Sequence, residues 1–332
     1  MAVTIRDVAK AAGVSIATVS RALSKPEQVA EETRLHVVKA ARELGYRPNT
    51  AARGLSSGQT GSIGLVVPDL ENPYFGSVAK GVQERARAQG YNVLIADSDE
   101  DAGLEAEIAR TLAQQVDGII LCSVRGTDAT IRSLSRDIRV VLVNRNVDGL
   151  PSISGDNAGG MRQLVGHLVA LGHRSIAYAG GPATSWTNKV RADALAHILA
   201  ANAELELVDL GNFPPSYSGG MQAGDLALAS RATATIAFND LMAVGLLERL
   251  RQRGANVPAD MSVTGFDNIP AAAMAWPGLT TVDCPRVHMG RASVDLLLDA
   301  VLGREAGAAP DLGAELIIRP STGPAPERTA AV

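Results

Sequence analysis

Downstream of residue 61, five short clusters carry side chains suited to holding a small polar molecule. They are Asp69-Leu-Glu-Asn-Pro-Tyr-Phe75, Asn144-Arg145, the stretch Gly180 to Arg191, Asn239-Asp240 and Asp267-Asn268. Each follows a short apolar run, so each falls where a strand would end. Together they supply amides, a guanidinium and a carboxylate beside aromatic rings. Such a set pairs with hydroxyl groups as donor and acceptor while a ring covers a C–H face, which is the chemistry of binding a sugar. Taken singly, each has an ordinary explanation: Asn239 and Asp240 suit a helix N-terminus, and Tyr74 and Phe75 suit a core.

Catalysis finds no footing in the pattern. There is no phosphate-cradling Gly-x-x-x-x-Gly-Lys, no Gly-x-Gly-x-x-Gly after a strand and no Gly-x-Ser-x-Gly elbow. The histidines (His36, His167, His173, His197, His288) include no pair at metal-ligand spacing, so neither a metal nor a cofactor is expected. Cys122 and Cys284 lie far apart in apolar surroundings, which suits buried thiols in a reducing compartment. The N-terminus lacks an apolar signal core and no run reaches membrane-spanning length. The expectation is a cytoplasmic chain without a membrane partner, and neither an enzyme nor a secreted solute-binding protein.

The elements that must position these clusters alternate. Apolar runs at 62–68, 92–97, 118–123, 140–144, 175–179, 234–238 and 262–266 read as strands, with a last strand at 314–319. Amphipathic stretches separate them, a pattern that predicts parallel sheets covered on both faces, with enough chain for two similar doubly wound lobes. Ligands of such sheets sit beyond the carboxyl ends of the strands, here the cleft between lobes.

The first 60 residues differ in character. They hold nine Lys/Arg against five acids, a net +4, and the chain's total of −4 leaves −8 for the remainder. A basic head on an acidic body fits a protein that grips a polyanion with one end. Thr4 and Asp7 read as a short capping box ahead of a helix whose Ile5, Val8, Ala9 and Ala12 share a face. Gly13 ends it, Val14 plugs the turn, and Ser15 caps a second helix that turns Val19, Ala22 and Leu23 inward. Ile16, Ala17, Ser20 and Arg21 then face out, as in a helix-turn-helix laid in a major groove; Arg21 suits the two acceptors of guanine and Ile16 a thymine methyl. A third helix over 31–44 is expected to bury Val37, Val38, Ala41 and Leu44 and to stop at Gly45. Pro48 then breaks the chain, and Asn49 can cap a helix ending at Leu55 that is too short to be stable alone; its composition equally suits a Gly/Ser linker.

The sequence resembles the lactose/galactose repressor (LacI/GalR) family of bacterial transcription regulators from Val3 to about Thr322. The match is carried by Ile5-Arg-Asp-Val-Ala-Lys-Ala-Ala-Gly-Val-Ser15 with Thr18-Val-Ser-Arg21, and by Tyr46-Arg-Pro-Asn49 with Ala52-Arg-Gly-Leu55. The resemblance implies an α/β protein with a helix-turn-helix headpiece over 1–47, a hinge over 48–60 and a periplasmic-binding-protein-like core over 61–332. In that core the N-lobe spans about 61–156 and 285–311, the C-lobe about 157–284 and 312–323, with crossings near Asp156, Cys284 and Leu312. It implies a DNA-facing set of Thr4, Arg6, Ser15, Ile16, Ala17, Thr18, Ser20, Arg21, Thr33, Arg34, Tyr46, Asn49, Ala52, Arg53 and Leu55. Ile16 and Ala17 would tune operator preference, Thr33 and Arg34 would touch phosphates, and Leu55 would wedge into the minor groove at the dyad. Ser24 stands where the family usually has asparagine. In the cleft the resemblance implies an effector set of Asn72, Tyr74, Phe75, Asn144, Trp186, Arg191, Phe213, Asn239 and Asp267, with Arg191 and Asp267 the recurrent pair and Asn144 where aspartate is common. The implied partners are a pseudo-palindromic operator, a small-molecule effector such as a sugar, and a second copy of the chain. The tail from Pro320 lacks leucine heptads, which favours a homodimer over a tetramer. A protein corepressor in place of the sugar, or a sugar-handling enzyme with a fused head, are the alternatives.

Overall fold

Thr4 opens the first helix, α1 (Ile5–Ala11), by donating both its amide and its hydroxyl to the Asp7 carboxylate at 2.8 Å each, the reach-back half of a capping box. The computed structural model describes residues 3–24, 26–46, 59–305, 310 and 312–327. They divide into two compact units, 1–61 and 62–332. In the first, Gly13 takes φ +63° and the Val14 amide closes the turn onto Ala9 O at 3.1 Å. Ser15 Oγ accepts the Thr18 amide at 3.0 Å and starts α2 (Ile16–Ser24). A 3-10 turn, Pro26–Gln28, leads to α3 (Glu31–Glu43), and Gly45 at φ +65° stops it. Val8, Ala9, Ala12, Val19, Ala22, Val37, Ala40 and Ala41 make the core. Val38 and Leu44, expected inside, are instead 40% and 38% exposed, and Ala40 takes their place. The physical reason is the narrowness of the stripe: 37, 40 and 41 lie at i, i+3, i+4, and small alanines let three short helices approach closely, leaving Val38 a hundred degrees away. The expected hinge (Asn49, Ala52, Arg53, Leu55) lies outside the described residues.

The second unit begins with β1 (Ser62–Val67), α4 (Pro73–Ala88), β2 (Asn92–Asp97), α5 (Ala102–Ala113), β3 (Gly118–Cys122), α6 (Asp128–Asp137), β4 (Arg139–Val143) and β5 (Ser152–Ile153). These strands form one parallel sheet in the order β2-β1-β3-β4-β5, with Leu65 level with Ile95 on one side and Ile120 on the other. After α7 (Asn157–Ala170) come β6 (Ser175–Gly180), α8 (Trp186–Ala200), β7 (Glu206–Asn212), α9 (Tyr217–Ala229), β8 (Ala234–Ala237), α10 (Asp240–Gln252), β9 (Ser262–Thr264) and α11 (Pro270–Met274). Their sheet runs β7-β6-β8-β9, also parallel. Both orders reverse at the lobe's first strand, so each lobe has a switch point, between β1 and β3 and between β6 and β8, where a crevice must open. The central strands are almost wholly buried, and separate apolar clusters line the two faces of each sheet. β7, absent from the sequence reading, is an edge strand with no fully buried residue.

The chain passes between the lobes three times. It leaves the first after β5, returns after β10 (Thr281–Asp283) to build α12 (Arg286–Val301) against α4, and passes over again to β11 (Glu315–Ile317), antiparallel to β10. The crossings lie together: the Asp156 amide donates to Leu312 O at 3.0 Å, and a methyl on Gly155 would stand 3.0 Å from Cys284 Sγ. α12 is locked to α4 by two glycines. A Cβ at Gly81 would fall 2.1 Å from Val287 O, and one at Gly290 would fall 2.2 Å from Val78 O, so the two backbones touch where any side chain would part them.

Candidate functional site

In the core unit, the ends of strands from both lobes meet at one cavity. After β1, Asn72 caps α4 by accepting the Tyr74 amide at 3.0 Å. That cap fixes Tyr74 and Phe75 in the first turn, edge to face at 5.2 Å. Asn144 follows β4 with a left-handed φ of +56°, and its Nδ2 donates to Tyr74 Oη at 2.6 Å and to Ser123 Oγ at 3.2 Å. From the other lobe, Arg191 on α8 donates from Nε to Asn157 Oδ1 (2.9 Å), from Nη1 to Phe238 O (2.5 Å) and from Nη2 to Asp267 Oδ1 (3.4 Å). Its guanidinium lies 3.6 Å from the centre of the Phe266 ring. Asp267 holds φ +108°, a conformation L residues rarely adopt, with its amide tied to Val282 O at 2.8 Å. Ser123, Arg125, Thr187 and Phe238 complete the lining, and the volume is only about 30 Å³.

Burial sets the protonation of this cavity. The Asp267 carboxyl is pushed up to about 6 by loss of solvent, against the pull of the Arg191 charge. Asp240, wholly buried behind it, accepts from Thr281 Oγ1 (2.5 Å) and the Ile269 amide (2.8 Å), and burial with the Asp267 charge nearby raises it well above the carboxylate range. Both cysteine thiols are pushed up to about 12 by burial, so they stay neutral and unreactive.

Of the residues expected at the cleft, Asn72, Tyr74, Phe75, Asn144, Arg191 and Asp267 line it. Three do not. Asn239 is committed to its helix: Oδ1 accepts the Met242 amide at 2.9 Å and Nδ2 donates to Pro215 O at 2.9 Å. Trp186 is the half-buried first residue of α8, and Phe213 packs against the apolar cluster beneath β8 and α10. Ser123 and Arg125 were missed, although they follow the apolar run of β3 just as the other clusters follow theirs. Asn157 and Phe238 carried no signal beyond their position.

In the head, Ile16 (45% exposed), Ala17, Ser20 and Arg21 lie on the outer face of α2, opposite the buried Val19 and Ala22. Arg21 Nε rests 3.3 Å from Ala17 O, and Ser15 and Thr18 share a 2.8 Å hydroxyl contact at the start of the helix. Thr4 and Arg6 are exposed at the start of α1, as its N-cap and in its first turn; Thr33 and Arg34 sit half-buried in the first turn of α3, where Arg34 pairs loosely with Glu31 at 3.7 Å. Tyr46 packs back onto the head's core, its amide on Ala41 O at 2.9 Å.

Residues 4–49 match the family model for bacterial regulatory proteins of the lacI family, and residues 60–319 match that for periplasmic binding proteins and the sugar-binding domain of the LacI family. The chain belongs to the LacI family. As a LacI-family member it is a DNA-binding transcriptional regulator with an effector-binding core. The ribose operon repressor of Bacillus subtilis (strain 168) is 33% identical over 299 residues, 90% of this chain and 91% of that protein. The lac repressor dimer bound to operator and the anti-inducer ONPF superposes with a TM-score of 0.86 at 28% identity, over 97% of this chain and 100% of that one. A LacI-family regulator from Enterococcus faecium with bound ribose gives a TM-score of 0.68 at 29% identity, over 79% and 99%. No helix among the described residues is long and apolar enough to cross a membrane, and no group of three or more His, Cys, Asp or Glu among them could hold a metal ion.

Proposed function

We propose that this regulator is a homodimeric repressor whose operator affinity is set by a sugar, or a sugar derivative, bound between the core lobes. The observation that carries the reading is the buried Arg191–Asp267 pair at the strand ends, pinned by Asn157, Phe238 and Phe266 and facing Asn72, Tyr74, Phe75 and Asn144 from the other lobe. A guanidinium that donates and a carboxylate that accepts, held side by side, read two hydroxyls at once. A cavity of about 30 Å³ holds one water rather than a sugar, so effector entry parts the lobes. A ligand that favours one lobe angle shifts the population of the state that grips DNA. The head would read the operator through Ile16, Ala17, Ser20 and Arg21.

Two surface features support the partners. Met274 (81% exposed) and Trp276 (93% exposed) follow one another on the outside of the C-lobe, a large apolar display suited to a self-complementary dimer contact. A protein corepressor would use a basic patch on the N-lobe; there Arg85 is paired with Asp295 (2.6 Å) and Arg291 with Glu84 (2.8 Å), while Lys80 and Arg87 on α4 are exposed. The preference for a small ligand rests on the cleft. The test is operator binding by fluorescence anisotropy, with the operator selected from random duplexes, across a sugar panel. A sugar that shifts operator affinity in the wild type should lose that effect, and its own calorimetric binding, in Arg191→Ala and Asp267→Ala. Unchanged sugar affinity in both variants would sink the assignment.

A further inference from the structure

We propose that Glu100, acting through Arg125, fixes the charge of the effector: the cleft takes a neutral polyol and rejects its phosphate ester. The inference rests on the sugar reading above and deepens it. Arg125 lines the cavity with a side chain 4% exposed, and its charge is met by a carboxylate. Nε and Nη2 donate to the two oxygens of Glu100 at 2.5 and 2.9 Å, and Nη1 donates to Ser123 O at 2.5 Å. This bidentate geometry is the strong form of the pair.

The surrounding backbone is built to hold it. Asp99 and Glu100 both take left-handed φ values, +49° and +58°, which L residues adopt at a cost, and the Glu100 amide is tied to Pro68 O at 2.8 Å. On the other side Glu105 accepts the amides of Arg125 and Gly126 at 2.8 and 2.9 Å; a Cβ at Gly126 would stand 2.9 Å from its Oε1. The cavity's second cation, Arg191, faces Asp267, and Arg145, one residue past Asn144, is paired with Asp128 at 2.6 Å. Two guanidinium groups of the lining thus meet two carboxylates, Asp267 in the lining and Glu100 behind Arg125, and these four charges sum to zero. A phosphate ester would bring close to two negative charges into a buried site with nothing to balance them. A neutral polyol needs only donors and acceptors. Asp267 Oδ2 and Asn72 Nδ2, which have no partner among the described residues, supply one of each.

Glu100→Gln keeps the shape of the pair and leaves the Arg125 charge unbalanced. The full-length wild type, Glu100→Gln and Glu100→Gln/Arg125→Gln are titrated by calorimetry and thermal unfolding with inorganic phosphate, and with pentoses and hexoses beside their 5- and 6-phosphates. The wild type should bind a neutral sugar at least tenfold more tightly than its phosphate. Glu100→Gln should gain at least tenfold for phosphate, and the double variant should lose that gain. A wild type that prefers the phosphate ester overturns the proposal, a result that needs no variant to fold. So does a folded Glu100→Gln, checked by circular dichroism, whose phosphate affinity is unchanged. A phosphate gain in Glu100→Gln with no response of any variant to any sugar would refute the sugar reading and uphold the charge balance.

Discussion

Arg191→Met removes a charge while keeping most of the side chain's length, and its cost can be worked from the contacts. The guanidinium donates to Asn157 Oδ1, Phe238 O and Asp267 Oδ1 and stacks on Phe266 at 3.6 Å, all in a site where both charged partners are buried. Removing one member of a buried pair costs about 3–5 kcal/mol, chiefly because the other is left unpaired, and the lost stacking contributes about 1 kcal/mol. These contributions share partners and do not add in full. Asp267 offers a route to relief. Its carboxyl already stands at about 6, and without Arg191 it moves higher and keeps its proton in the folded state. A raised folded pKa stabilises at low pH and loses that stabilisation as pH rises. The wild-type Asp267 is half ionised near pH 6 and ionised folded and unfolded alike from about one unit higher, so the deficit of the variant should grow between pH 6 and pH 8, approaching about 1.4 kcal/mol per pH unit at the upper end. Urea unfolding followed by circular dichroism at both pH values measures it, and Asp267→Asn in the Arg191→Met background should recover part of the loss. A deficit below about 1 kcal/mol, or one equal at pH 6 and pH 8, would refute the reasoning.

Three further outcomes are expected. His173 is fully buried, with Nδ1 2.9 Å from Thr233 Oγ1 and Nε2 3.0 and 3.1 Å from Ser262 Oγ and Gly323 O, and burial lowers its pKa below the usual 6.5. A neutral folded ring gives stability that is present above about pH 6.5 and lost as pH falls from there towards the lower folded value, by at most about 1.4 kcal/mol per unit; His173→Asn should flatten this part of the urea-midpoint profile, and an unaltered slope would count against it. Trp276→Glu should yield monomers in sedimentation and weaken operator binding with them, whereas a fully dimeric variant would place the contact elsewhere. Arg21→Ala should relax preference at one base pair by about 1–3 kcal/mol while Arg34→Ala weakens all sequences alike and lowers the salt slope by about one; equal losses across a base-substitution panel would remove the distinction.

What was legible in the sequence was mostly local. The head's two caps and its turn glycine depend on neighbours in the chain, and Thr4, Gly13 and Ser15 do what their types dictate. The face of α3 was less so, because Val37, Val38, Ala41 and Leu44 also make a plausible stripe until two other helices show how narrow the contact is. In the core the apolar strands announced themselves, while β7 did not, since Glu206-Leu-Val-Asp-Leu-Gly-Asn212 lies at a sheet edge and buries little. At the cleft, strand-end position and family match point to Arg191 and Asp267, and both line the cavity. Arg125 escaped because its pairing with Glu100 spans 25 positions and joins the ends of two different strands. The cap at Asn239 and the packing of Phe213 show that residue type alone could not tell a ligand contact from a structural duty.

The lock between α4 and α12 limits how the cleft can work. With the Gly81 and Gly290 backbones in contact, the helix that returns from the C-lobe is part of the same solid body as the helix that carries Tyr74 and Phe75. Bending is left to three neighbouring passages of chain, at 155–156, 284–285 and 312, already tied to one another by Asp156, Leu312 and Cys284. Three parallel tethers side by side behave as a door hinge rather than a ball joint. They favour a change of opening angle over sliding and twisting. An effector that fills the cleft then acts chiefly on that angle, and effectors with different contacts can be compared by the angle each leaves behind.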